Sequence, residues 1–135
     1  MSGTENYRTF DSISANLNYQ FIFCSRYRRK VFLDTKFEHR FKQIVDVLCV
    51  DLEIQVFSIT CKEDYVQISL NAPPFLSPTD IMAKIKRTTS KILRKEFSYL
   101  QHLPSLWTRP YLVSTECNLS DQVITRYLEE QKKRG

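Results

Sequence analysis

The chain has 135 residues, 42% of them apolar and 13% aromatic, which suits one domain of ordinary size with a real core. No run of about 18 apolar residues occurs, so no membrane span is indicated. Lys and Arg number 20 against 15 Asp and Glu, a net charge of +5. The excess is clustered in "RYRRK" (26–30), "KIKRTTSKILRK" (84–95) and the terminal "KKRG". Such clusters suit a nucleic acid, through release of its counterions, as well as they suit plain solvated faces.

The opening "MSGTENYRTFDSIS" is polar and lacks the hydrophobic centre of a signal peptide. Residues 1–16 therefore read as an arm open to fraying, residues 17–135 as one domain, and the protein as cytoplasmic. "LNYQFIFCS" (17–25) is rich in aromatic and branched residues and predicts a strand. The basic loop "RYRRKV" follows. From Asp34, a plausible N-cap, apolar residues at Phe37, Phe41, Ile44, Val45, Leu48 and Leu52 keep helical spacing. "IQVFSIT" (54–60) predicts a second strand. In "DYVQISL" (64–70), Val66, Ile68 and Leu70 alternate with Tyr65, Gln67 and Ser69, which predicts a third strand with one polar face. "CKED" between them makes the pair a hairpin.

Three prolines in "NAPPFLSPTD" forbid a regular element before Ser77. Ser77, Pro78 and Asp80 together form a helix-start signature. Ile81, Ile85, Ile92, Leu93 and Phe97 line the apolar side of that helix, and Lys84, Arg87, Lys91, Arg94 and Lys95 its other side. "WTRPYLVST" (107–115) predicts a fourth strand. "LSDQVITRYLEEQKKR" predicts a last helix capped by Ser120, with Leu119, Val123 and Leu128 on its buried side. The order β-α-β-β-α-β-α is an α+β class. Its first six elements match the ferredoxin-like split βαβ, a four-stranded antiparallel sheet with two helices on one face.

Few residues offer chemistry. The four cysteines are widely spaced, so a zinc site is not expected, and they read as small reduced hydrophobes. His39 and His102 have no partner at ligand spacing. The two glycines, Gly3 and Gly135, lie at the chain ends, so no glycine-rich phosphate loop exists. Tyr127 and Gln131 in "RYLEEQ" are four apart and share a helix face. They read either as an interfacial tyrosine with a polar neighbour or as a nucleophilic phenol beside an amide. Tyr27 and Trp107 are candidates for stacking on bases, although a core position is the expectation for each.

In this order, four pieces carry a resemblance. "CSRYRRKVF" is similar to a C-P-K-Y-R-R-K-V segment, and "KIKRTTSKILRKEF" to a K-x-K-G-x-S-S-x-x-L-R helix. "LWTRPYLVST" is similar to W-x-x-G-Y-x-V-S-T, and "RYLEEQ" to a terminal Tyr-x-x-x-Gln. Over about residues 17–131 the chain resembles the small single-tyrosine HUH transposases of bacterial insertion sequences, the TnpA proteins of the IS-two-hundred type. The resemblance implies a homodimer with a shared sheet that binds hairpin DNA and cuts single-stranded DNA. It gives Tyr127 the nucleophile's role, through a 5′-phosphotyrosine. It also implies an Mg²⁺ or Mn²⁺ ion held by two histidines of a D-H-x-H strand and by the glutamine, here Gln131.

Asp64, Tyr65, Val66 and Gln67 stand where the resemblance expects D-H-x-H, so both histidines are replaced. Gln20 stands at a first-strand histidine position, and Arg87, Pro110 and Cys117 at glycine positions. An amide carbonyl is a weaker donor than imidazole, and a phenol with a pKa of about 10 is a poor ligand at neutral pH. A weak site using Gln67, Gln131 and Asp64 or Glu63 is the alternative to none. The link Glu116–Cys117–Asn118 is stiffer than one holding glycine, which disfavours exchange of the tyrosine helix between subunits.

The reading is a transposase-family DNA-binding protein with cleavage impaired by loss of the histidines. Arg26, Arg28, Arg29, Lys30, Lys84, Lys86, Arg87 and Lys91 are its expected DNA contacts. Two alternatives stand beside it: an active enzyme with an unusual ligand set, and a dimeric RNA- or protein-binding regulator.

Overall fold

A computed structural model of the chain describes residues 6–133. Its strands are β1 (Arg8–Phe10), β2 (Ile13–Ala15), β3 (Leu17–Cys24), β4 (Gln55–Cys61), β5 (Tyr65–Ala72) and β6 (Leu112–Ser114). Its helices are α1 (Thr35–Asp51), α2 (Pro78–Glu96) and α3 (Asp121–Lys133). β3 to β6 form one antiparallel sheet in the order β4-β5-β3-β6. With α1 and α2 in their places between strands, this is the ferredoxin-like split βαβ. Among the described residues, no helix is long and apolar enough to cross a membrane.

The expected starts of α1 and α2 form. The Asp34 carboxylate accepts from the backbone N–H of Lys36 and Phe37, and Ser77 with Asp80 makes a full capping box. The period-two pattern of 64–70 sends Val66, Ile68 and Leu70 into the core, where each is fully buried. Phe21 and Phe23 of β3 join them, with Phe37, Phe41, Ile81, Ile85 and Leu93 from the two helices. Trp107 lies among Phe23, Phe32 and Phe41, and its indole N–H donates to Thr89 Oγ1 at 2.9 Å.

α1 ends without the glycine that such an end prefers. Ile54 N–H reaches Cys49 O and Glu53 N–H reaches Val50 O, the two bonds of a Schellman motif. Glu53 holds the left-handed position at φ 59°.

Two expected elements differ. The segment read as an arm forms a hairpin across residues 8–15, with Phe10 opposite Ile13 around a two-residue turn. Asp11 takes φ 54° there, which Asp tolerates, so the turn forms without the usual glycine signal. Arg8 ties the hairpin down by donating to Asn71 Oδ1, Asn71 O and Glu53 O. The fourth strand is short, 112–114 rather than 107–115. Pro110 has no N–H to give, and the stretch before it is held otherwise. Trp107 makes a lone bridge to Ser25, and Thr108 N–H donates to Cys24 O.

Candidate functional site

Residues paired across β3 and β5 share a face, so the face opposite α1 and α2 carries Tyr65, Gln67, Ser69 and Asn71 from β5. It carries Cys24, Ile22, Gln20 and Asn18 from β3. Ile22 and Cys24 are fully buried yet lie outside the main core cluster, so this face is covered too. α3 is the cover. Gln20 Nε2 donates to Ser69 Oγ at 2.9 Å and to Cys117 O at 3.1 Å, pinning the link that enters the helix. Ser120 Oγ caps α3 by accepting from Val123 N–H. Arg28 Nη1 donates to Leu128 O at 3.1 Å near its far end.

The inward side of α3 is Ile124, Tyr127, Leu128 and Gln131, at i, i+3, i+4 and i+7. Val123, expected inside, is 42% exposed. Leu119 and Leu128 are half-buried. The Tyr127 hydroxyl is shielded from solvent, and Gln131 is buried. The helix thus directs its tyrosine and glutamine inward, and the sheet presents Tyr65 and Gln67 on the face it covers.

The donor chemistry of these residues can be weighed against a divalent cation. Burial, with the nearby Asp64 carboxyl, pushes the Tyr65 phenol above its ordinary value, so it stays neutral. Gln67 Nε2 donates to Gln20 Oε1 at a long 3.5 Å. Tyr65, Gln67 and Gln131 supply no anionic or imidazole ligand. Among the described residues, no cluster of three His, Cys, Asp or Glu forms near them or elsewhere. This set does not fit an ion gripped by imidazoles.

The eight cations expected at DNA fall into two groups. Arg28 is turned inward. Its Nε lies 2.7 Å from Asp64 Oδ2, with the two side chains only 19% and 17% exposed, while Nη1 holds α3. Lys86 is also turned inward. Its ammonium donates to Thr108 O, Arg109 O and Pro110 O, and burial draws it down to about 8. Both are expected from sequence to hold phosphates, and the tertiary structure gives both internal partners. Lys30 pairs loosely with Glu63 at 3.6 Å, and Arg29 meets His102 Nε2. Lys84, Arg87 and Lys91 are exposed.

Arg87 and Lys91 open onto a groove of about 750 Å³ between α2 and the 101–109 segment. Arg26, Arg94, Lys95 and Arg109 also line it, and no Asp or Glu does among the described residues. Arg94, Lys95 and Arg109 were outside the set expected from sequence. The charge of the α2 stripe was legible for the first two, but only the fold brings Arg109 opposite them. Trp107 is core at 4% exposed, as expected, whereas Tyr27 is 60% exposed and not core.

The chain thus combines a ferredoxin-like sheet, a tyrosine helix at the face opposite α1 and α2, and a cation-rich groove along α2. The chain belongs to the transposase family described as IS200 like, whose profile it matches over residues 13–131. It is 27% identical over 123 residues to the transposase for insertion sequence element IS200 of Salmonella typhimurium, covering 87% of this chain and 80% of that one. The same figures hold for the Salmonella typhi protein. Among solved structures, it superposes on a putative transposase of Deinococcus radiodurans with a TM-score of 0.79 at 22% identity, over 92% and 97% of the two chains. A REP-associated tyrosine transposase bound to a REP hairpin gives 0.56 at 12% identity, over 87% and 67%.

Proposed function

We propose that this protein binds hairpin or single-stranded DNA as a homodimer, and that its strand cleavage is weakened. Tyr127 is the residue for phosphodiester attack, and the DNA is held through Arg26, Arg29, Lys30, Lys84, Arg87 and Lys91. One observation carries the reading. On a family scaffold matched over 13–131, the helix that buries Gln131 and half-buries Tyr127 lies at a sheet face that carries Tyr65 and Gln67. A neutral phenol and an amide replace the imidazole pair that cleavage in such proteins is expected to need. The hairpin bound by the REP-associated relative supports hairpin DNA as the partner here.

The test compares wild type with the double variant Tyr65→His/Gln67→His. Both are incubated with hairpin-flanked single-stranded DNA and Mg²⁺ or Mn²⁺. Wild type binds with an affinity that falls steeply with salt, yet forms little covalent protein–DNA product. The double variant forms a covalent band that Tyr127→Phe abolishes. A wild type that forms the Tyr127-dependent band as fast as the double variant would make it an active enzyme with an unusual ligand set. Preference for an RNA hairpin, or no nucleic-acid binding at all, would favour the regulator.

A further inference from the structure

The turn after β3 displays an aromatic ring at a conformational cost. Tyr27 has φ 58° and ψ 22°, and Arg28 follows with φ 52°. Two successive non-glycine residues in the left-handed region are uncommon, and a bulky aromatic there is an outlier. The turn is held in this shape from several sides. Arg26 N–H donates to Leu106 O at 2.8 Å, and Arg28 N–H to Ser25 O at 3.1 Å. The buried Ser25 hydroxyl bonds Arg29 O, and the Arg28 side chain is clamped to Asp64.

The strain has no packing return at Tyr27, because the ring stays 60% exposed rather than entering the core. Strained residues kept by an over-determined surrounding concentrate at working sites.

The ring adjoins the cationic groove. The Arg26 guanidinium lies over it, 5.4 Å from its centroid, and the same Arg26 lines the groove. Within that groove, Arg26 Nε and Arg94 Nε are both shielded from solvent and find no acceptor among the described residues. Buried donors of this kind ordinarily have partners. Exposed Arg87, Lys91, Lys95 and Arg109 leave the groove without a countercharge.

We infer that Tyr27 is a stacking platform for one unpaired base of a DNA strand, and that the backbone phosphate beside that base enters the groove at Arg26, Arg94 and Arg109. The platform discriminates single strand from duplex, since a base inside a duplex already has both faces covered. Stacking is tolerant of sequence, because every base has a π-face. The inference rests on the DNA-binding reading above and narrows it to one subsite.

The experiment measures binding of two labelled DNA hairpins, one blunt and one with a short single-stranded tail carrying 2-aminopurine. Wild type is expected to hold the tailed hairpin tighter and to quench the 2-aminopurine. Tyr27→Asn keeps a residue that tolerates the left-handed turn and removes the ring. It is expected to lose about 10-fold in affinity for the tailed hairpin, to lose the quenching, and to bind the blunt hairpin unchanged. Tyr27→Phe retains both signals. Arg109→Gln lowers the slope of log affinity against log salt by about 1 for the tailed hairpin. If wild type binds the two hairpins equally, or Tyr27→Asn behaves as wild type, the platform is overturned while DNA binding stands. If wild type binds neither, the DNA reading falls and the platform with it.

Discussion

Arg28 is the residue on which the placement of the tyrosine helix is most exposed to test. It makes two bonds of different kinds: an ion pair to Asp64 Oδ2 at 2.7 Å and a bond from Nη1 to Leu128 O at 3.1 Å. An exposed ion pair contributes about 0–1 kcal/mol, and breaking a fully buried one costs about 3–5. With side chains 19% and 17% exposed, the Asp64 pair falls between, at about 1.5–2 kcal/mol. The bond to a helix carbonyl adds about 1 kcal/mol.

Arg28→Met is therefore expected to lower unfolding free energy by about 2.5–3 kcal/mol in urea titration. It should also release α3 selectively: amide exchange along 121–133 should quicken about fivefold, the equivalent of the ~1 kcal/mol lost at Leu128. Asp64→Asn keeps an acceptor for Nε and leaves the Leu128 bond alone, so it should destabilise less and spare α3. An Arg28→Met protein with the wild-type urea midpoint and unchanged α3 exchange would refute the clamp.

The other expectations concern backbone strain and pH. Glu53→Gly relieves a left-handed L-residue worth about 1–2 kcal/mol, against about 0.5–1 for glycine's extra entropy, so stability should rise by about 0.5–1 kcal/mol in urea titration. A loss instead would show that attraction between Glu53 and Arg8 outweighs the strain. Lys86 is drawn from 10.5 down to about 8 by burial, so the folded chain releases its proton first. Its contribution is fully present above 10.5 and lost as pH falls through about 8. Buried Cys24 and Cys49, pushed up to about 11 and about 12, act in the opposite sense. The measurement is therefore the difference between wild type and Lys86→Met, which should move in favour of wild type as pH rises from about 8 to 10.5. A pH-independent difference would show that the three carbonyl acceptors hold the ammonium charged.

Local chemistry made much of this protein legible from its residues. Asp34 and Ser77 cap their helices because a side-chain oxygen reaches the first free N–H groups whatever lies further away. The alternation of Val66, Ile68 and Leu70 fixes which face of β5 enters the core, because successive strand side chains point to opposite sides. Tyr127 and Gln131 share a face by helical spacing alone. What stayed hidden depends on distant partners. Asp11 and Glu53 take left-handed conformations without glycine, so the first hairpin and the end of α1 carry no local mark of it. Arg28 and Lys86 read as surface cations like their neighbours, and only Asp64, Leu128 and the carbonyls of 108–110 draw them inward. Tyr27 and Trp107 are both aromatic residues for which sequence leaves base stacking and a core position open. The fold buries the second against Thr89 and holds the first in the open, because one lies under α2 and the other on a turn whose shape is set from Ser25, Leu106 and Asp64. Sequence determines what each segment can form and which residues share a side. Tertiary structure decides which charges are neutralised and which rings face water, since those depend on contacts between residues far apart along the chain.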